Sequence, residues 1–294
     1  MIGRLARSDH VAGWLFVLPA TTLIAVFGIL PIGWAVLLSL QENDLLTAPT
    51  WVGLDNYRRL ADDPVFVDSI RRTLIYTALF VPLSVGGALG LAVLLDGQIR
   101  FARFYRTAFF VPVAVSTVAT GIVFNWLLDP TYGVANYGLG KVGLGPYGFL
   151  QDPDQALYAI VAMTVWGWLG FDVIIYLAAL QGVPRELVEA AKLDGAGPWK
   201  VFRHVTLPLL APVSLFLLVW STINALQVFD EIYVTTRGGP LRSTTVVVYY
   251  LYDQAFTVFH AGYAAAIACA LFAATLVLAL LQLWVGRRRV HYTS

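Results

Sequence analysis

The polar side chains that draw notice in this sequence are the few placed inside long apolar runs. The segment WGWLGFDVIIYLAAL carries Trp166, Trp168, Gly170 and Asp172, and the run that begins at Pro208 carries Ser221, Thr222, Asn224 and Gln227. Burying such groups among apolar neighbours is costly, so they mark solute pathways more often than chance. The chemistry they offer is sugar recognition, with aromatic faces to stack on and amides, hydroxyls and a carboxylate to bond hydroxyl groups. On a helix, Asn224 and Gln227 lie three apart and share a face with each other and with Ser221. Each also has a plainer reading. Ser221 can bond its own helix backbone, and Trp166 and Trp168 can be packing or interface residues. Asp172 can pair with a polar group of a neighbouring chain instead of a solute hydroxyl or amine.

Other chemistries find no support. No G-x-x-x-x-G-K-[ST] phosphate loop occurs. The nearest imitation, ANYGLGKVG, has Ala135 for the first glycine and Val142 for the magnesium-binding Ser or Thr. His10, His204, His260 and His291 are scattered through loops and ends, which suits solvated histidines, and no nucleophile stands beside a base. The single cysteine, Cys269, lies in an apolar run, so neither an intrachain disulfide nor a cysteine metal cluster can form. It reads as a small packing residue. A net charge of +1 and the lack of a basic–aromatic patch leave nothing to bind nucleic acid. The chain is expected to be no enzyme, with no cofactor or metal of its own.

The elements that must position the polar groups follow from composition. Of 294 residues, 59% are hydrophobic and 13% charged, and the mean hydropathy is +0.72. Soluble domains carry about 25% charged residues, so this is an all-α, polytopic membrane protein. A spanning helix needs about 20 mostly apolar residues, and six runs qualify: 11–40, 73–95, 107–128, 155–180, 208–229 and 261–286. Five carry no charge and the fourth carries only Asp172. Arg4 and Arg7 precede the first run. That run far exceeds the about 7–15 apolar residues of a signal-peptide core, and no small-residue cleavage site closes it. It reads as a retained span. Pro19, Pro31, Pro82 and Pro112 interrupt the runs and are expected as kinks rather than ends.

Orientation follows from Lys and Arg in the connections. One side holds Arg4, Arg7, Arg100, Arg103, Arg106 and Arg185, together with Lys192, Lys200, Arg203 and Arg287 to Arg289. The other holds Arg58, Arg59, Arg71, Arg72, Lys141, Arg237 and Arg242, so the balance is twelve against seven. Most acids, including Glu42, Asp44, Asp129, Asp230 and Glu231, fall on the second side. The first side is cytoplasmic, with both termini inside. The segment STTVVVYYLYDQAF is too short to span and is expected as a short amphipathic helix at the outer surface.

The longest cytoplasmic loop, 181–207, contains ELVEAAKLDGAGPWKVFRHVTLP. Pro184 suits a first helical position, and Glu186 falls in the first turn, where the helix dipole favours an anion. Gly195 suits a helix end, and Pro198 starts a second helix bearing Trp199, Val201, Phe202 and Val205. Two short helices with a glycine hinge leave Leu187, Val188, Trp199 and Phe202 with no internal partner. Ala190 and Ala191 keep one face thin, and Glu189 and Asp194 offer charge. An amphipathic pair lying on lipid and a docking element for a cytoplasmic protein both fit this pattern.

These residues carry a resemblance. Glu189-Ala190-Ala191, three residues, Gly195, nine residues and Val205-x-Leu207-Pro208 resemble the EAA motif of binding-protein-dependent ABC importer permeases. Only Val205 departs, standing where that motif has isoleucine. The segments WVGLDNYRRLADDPVF, FYRTAFFVPVAVSTVATGIVFNWLLDPTYGVAN and QVFDEIYVTTRGGPLRSTTVVVYYLYDQAF resemble the maltose/glycerol-3-phosphate-type branch, specifically the first subunit of a two-permease pair.

The resemblance implies a type I ABC importer permease fold in one transmembrane domain, 1–294, in a bacterial or archaeal cytoplasmic membrane. Implied partners are a second homologous permease, two copies of a cytoplasmic ATP-binding subunit that hold the ATP and magnesium, and a lipid-anchored, extracytoplasmic solute-binding protein. Glu189, Ala190, Ala191 and Gly195 would seat in a groove of the ATPase. Trp199 and Phe202 are added here as apolar knobs for the same groove. In that family the two spans flanking the loop line a midplane sugar site, and Gly170 and Ser221 are the best-aligned positions.

Asp172 and the lack of Lys or Arg in the spans favour a neutral oligosaccharide or amino sugar over glycerol-3-phosphate. A stand-alone channel or secondary transporter would need a repeated half or several intramembrane charges. A membrane enzyme would need clustered catalytic residues. An amino-acid or peptide permease would share the loop but not the GLDNY and TRGGP segments.

Overall fold

The computed structural model describes residues 9–97 and 101–287; Arg4, Arg7, Arg100, Arg288, Arg289 and His291 lie outside the described residues. The described chain is helical nearly throughout. Its first part holds α1 (Gly13–Ser39), the hairpin strands β1 (Gln41–Glu42) and β2 (Thr50–Trp51), and α2 (Asp55–Asp62). There follow α3 (Pro64–Asp96), α4 (Ala102–Phe110), α5 (Thr117–Leu127), α6 (Val134–Gly140) and α7 (Ala156–Gln181). Next come α8 (Arg185–Leu193), α9 (Pro198–Val201), α10 (Ala211–Leu226), α11 (Asp230–Thr235), α12 (Val247–Tyr252) and α13 (Ala261–Arg287). Five helices among the described residues are long and apolar enough to cross a membrane, or six if one bent pair counts as a span.

The bent pair is the third apolar run. It is not a single straight helix: Phe104–Ala114 and Thr117–Leu127 meet at 101°. Pro112 lies in a 3₁₀ turn, Val111–Ala114, and Ser116 is extended at ψ 137°, so here proline helps end a helix rather than only kink it. Elsewhere proline is absorbed. Pro82 opens a π-turn, Pro82–Gly86, inside α3, and Pro31 follows another, Ala25–Ile29, inside α1. A widened turn accommodates the carbonyl that proline cannot bond.

The chain divides into two compact units, one from residues 1–63 with 251–272 and one from 64–250 with 273–294. In the first, α1 exposes apolar side chains all round, as a helix made for lipid or another chain must. Asn56 anchors the loop that follows: its buried amide donates to the Ser39 and Gln41 carbonyls, each at 2.9 Å. Ser39 Oγ and Tyr57 OH lie 2.7 Å apart, and Tyr263 donates to Asp63 at 2.5 Å. Gly262 has the Gln41 carbonyl where a Cβ would be.

In the second unit, α3 and α7 pack along each other through small residues. Ala88 and Ala92 are fully buried, and a Cβ on Gly87 would already touch Leu169. Such surfaces let membrane helices approach closely without a hydrophobic drive. Polar links join the same elements. Tyr176 OH donates to Ser214 Oγ at 3.1 Å, Gln282 Nε2 to Thr222 Oγ1 at 2.9 Å, and the Val247 amide to Thr73 Oγ1 at 3.0 Å.

Asn56→Ala should strand both carbonyls of the first loop. A lost buried hydrogen bond costs about 1–3 kcal/mol. Thermal unfolding of the purified complex should show a lowered midpoint, and an unchanged midpoint would mean the loop is not held by this amide.

Candidate functional site

The polar cleft of the second unit forms where α10 ends. Gln227 caps the helix, its N–H shared between the Ile223 and Asn224 carbonyls, and Phe229 at φ −144°, ψ −57° breaks the chain before α11 starts at Asp230. Gly121 and Asn125 hold α11 against α5. A Cβ on Gly121 would strike Val234, and Asn125 Nδ2 donates to the Gly121 and Val234 carbonyls at 3.1 and 3.4 Å. Ile232 is fully buried, so the turn bearing Asp230 and Glu231 is fixed rather than splayed outward.

Two adjoining clefts open there, with about 60 and 140 Å³ of space for water-sized groups. Thr117, Thr164, Trp168 and Glu231 line both, and Asn224 and Gln227 line the larger. The Trp168 side chain lies beside the Glu231 carboxyl. Rings continue from Trp168 along the paired helices: Trp168 meets Phe171 edge-on at 6.2 Å, Phe171 lies 6.3 Å from Trp220, and Trp220 stacks on Phe216 at 6.3 Å.

The residues singled out in the sequence divide. Asn224 and Gln227 face the larger cleft; Trp166, Gly170, Asp172 and Ser221 line neither. Ser221 is buried and lines neither cleft, although it lies three residues from Asn224 on the same helix. Trp166 tilts against Phe124 at 5.4 Å. At Gly170 the Phe109 carbonyl occupies the space of a Cβ, so its smallness lets α4 approach α7. Asp172 is 2% exposed and accepts a 2.6 Å bond from Ser84 Oγ of α3. It therefore has a partner within its own chain, beyond the two foreseen for it.

Of the cleft residues, the sequence singles out Trp168 but gives no sign of Thr117, Thr164 or Tyr76, and it places Glu231 among the outer-side acids. Its signal was the spacing in QVFDEIY, where an acidic pair opens a new helix directly after a span.

The exposed loop is the second arrangement. Pro184, at φ −60°, ψ 125°, caps α8 from outside rather than occupying its first position, and Glu186 lies in the first turn. Gly195 adopts φ +79° and closes the helix: its amide bonds the Lys192 carbonyl and the Ala196 amide that of Ala191, each at 3.0 Å. A left-handed residue there is the usual glycine helix stop. No residue of α8 is buried, and Leu193 and Trp199 are 89% and 67% exposed. Glu189, Ala190 and Gly195 are exposed, Ala191 is half-buried, and Trp199 and Phe202 sit ring to ring at 5.6 Å. A π-turn, Phe202–Thr206, then leads back towards α10.

Long apolar helices around a polar cleft, with a charged loop standing clear of them, define a multi-pass membrane permease. Residues 64–291 match the family described as "Binding-protein-dependent transport system inner membrane component", and the chain belongs to it. It is 38% identical to the lactose transport system permease protein LacF of Rhizobium radiobacter, covering 97% of each chain. It is 34% identical to the sn-glycerol-3-phosphate transport system permease protein UgpA of Pectobacterium atrosepticum, covering 98% of this chain and 99% of that one. A crystal structure of a bacterial ABC transporter involved in the import of the acidic polysaccharide alginate superposes with TM-score 0.82 at 25% identity, over 100% of this chain and 99% of that chain.

The fold is the all-α type I ABC-importer permease fold, and the chain is an inner-membrane permease subunit of a multi-subunit, binding-protein-dependent import system, not a catalytic one. Among the described residues no group of His, Cys, Asp and Glu could hold a metal ion.

Gly170→Ala should act through packing. Forcing a methyl group into the Phe109 backbone should cost about 1–3 kcal/mol, read as a lowered thermal midpoint with the KM for solute retained. A raised KM at an unchanged midpoint would instead give Gly170 a solute contact.

Proposed function

We propose that this chain is the first subunit of a two-permease pair in a sugar importer. In this reading both termini are cytoplasmic, and 181–207 is the handle through which ATP-binding subunits move the helices. The observation that carries it is the loop itself. Leu187, Leu193 and Trp199 are left open beside the thin face of Ala190 and Ala191. Apolar side chains so exposed, next to charge, mark an interaction site. Glu189 offers a carboxylate to a basic residue of the ATPase. The Gly195 turn sets the angle at which Trp199 and Phe202 enter the same groove.

Sequence likeness points to two solute classes, since one relative is named for lactose and another for sn-glycerol-3-phosphate. The clefts favour the first. Their lining carries Asp230 and Glu231 and neither Lys nor Arg, and an anionic solute would meet like charge in a poorly screened setting. Trp168, Asn224 and Gln227 supply the stacking face and amides suited to a neutral sugar or amino sugar. A solute-binding protein outside would deliver it, and the partner permease would complete the path.

Glu189→Ala tests the coupling. In the reconstituted complex, hydrolysis stimulated by sugar-loaded binding protein should fall at least about tenfold, the effect of losing about 1.4 kcal/mol, while all subunits still co-purify. Full stimulation in the variant would remove Glu189 from the coupling contact.

A further inference from the structure

We infer that the Glu231 carboxylate, with the Trp168 ring beside it, is a solute subsite that accepts neutral or amine-bearing polyols and rejects anions. This rests on the sugar-importer reading and names the residue that sets its selectivity. Both clefts contain the pair, so a solute moving from one to the other passes it.

Acceptor capacity comes first in the argument. A carboxyl group can accept several hydrogen bonds. The Trp168 side chain and the backbone N–H of Glu231 lie against this one, and the Tyr76 hydroxyl is close by. Neither a Lys, an Arg nor a His lines the two clefts to balance its charge. Acceptor sites left open in a cavity walled by apolar helices are costly unless filled. Vicinal hydroxyls, or an ammonium group, would fill them.

The neighbours complete a polyol site. Thr164 Oγ1 donates to the Ile160 carbonyl at 2.9 Å and also meets the Tyr76 hydroxyl. Asn224 donates one amide hydrogen to the Trp220 carbonyl at 2.8 Å and keeps its Oδ1 and a second N–H. The cleft thus offers hydrogen-bonding groups and a carboxyl beside an aromatic face, which suits a hydroxyl-rich ring with an apolar side. A phosphate or carboxylate, which brings negative charge, is mismatched to Asp230 and Glu231.

The carboxylate is also placed rigidly. Glu231 lies in the first turn of α11, and the seating of Ile232, Gly121 and Asn125 holds that turn. A side chain on a pinned turn can discriminate between solutes, since it cannot swing away from a wrong one.

The test uses the complete complex in proteoliposomes. Uptake is first measured for a panel of neutral disaccharides (lactose, maltose, sucrose, trehalose), and for sn-glycerol 3-phosphate. Binding of the same compounds to the purified complex is then followed by tryptophan fluorescence, with Trp168→Phe as the control for the reporting ring. In the wild type a neutral sugar should be taken up and should perturb the fluorescence, and the phosphate should do neither.

Glu231→Ala should weaken that sugar about tenfold or more, a loss of about 1.4 kcal/mol. Glu231→Gln should hold it within about threefold while admitting the phosphate, a gain that misfolding cannot produce. Sugar binding unchanged in Glu231→Ala, or phosphate binding the wild type as well as sugar does, overturns the assignment and leaves the importer reading intact. No uptake of any sugar in the panel, with the ATPase assembled and active, overturns the importer reading and this one with it.

Discussion

Polar groups that this chain carries into its apolar interior are held chiefly by partners inside the protein, because lipid offers none. That constraint explains more of the structure than any single contact. Asp172 sits in α7 only because Ser84 meets it from α3, Tyr176 because Ser214 meets it from α10, and Thr222 because Gln282 reaches it from α13. These pairings fix which helices are neighbours and at what height. The proline-bearing turns obey the same rule at backbone level, with π-turns at Ala25–Ile29 and Pro82–Gly86 absorbing the misfit. Glu231 instead lines a cleft, and the proposed selectivity is placed there for that reason.

The two functional regions are built differently because they face different solvents. The cleft is a place of fixed geometry: α11 is pinned by Ile232, Asn125 and the bare backbone of Gly121. The loop is a place of exposed, mutually supporting groups, with a helix that buries nothing and two rings that rest on each other. A rigid site suits recognition. An open, hinged one suits a partner that supplies the missing half.

The sequence made the long helices legible, because a run of apolar residues has no other use at that length. It made the loop legible because charge, Gly195 and Pro198 interrupt such a run at places with a backbone meaning. The GLDNY segment was visible as a motif, but only the structure shows that Asn56 is a staple for the Ser39 and Gln41 carbonyls. Four of six candidate solute residues line neither cleft. Gly170 is met by the Phe109 carbonyl, Asp172 by Ser84 and Trp166 by Phe124, and Ser221 is buried. Period and composition give a residue's face but not what lies opposite it. Hydropathy ends a span at Phe229, while the structure carries the same span on to Thr235 and so brings Glu231 into it.

The central claim is that this chain moves a sugar only as part of an ATP-driven, binding-protein-fed assembly. The most direct measurement is uptake of a labelled neutral disaccharide into proteoliposomes, comparing the complete complex with the same mixture lacking ATP inside, the binding protein outside, or this chain. The account predicts accumulation by the complete complex and none in any of the three omissions. Uptake by this chain without ATPase or binding protein would contradict it, and would make the protein a self-sufficient transporter.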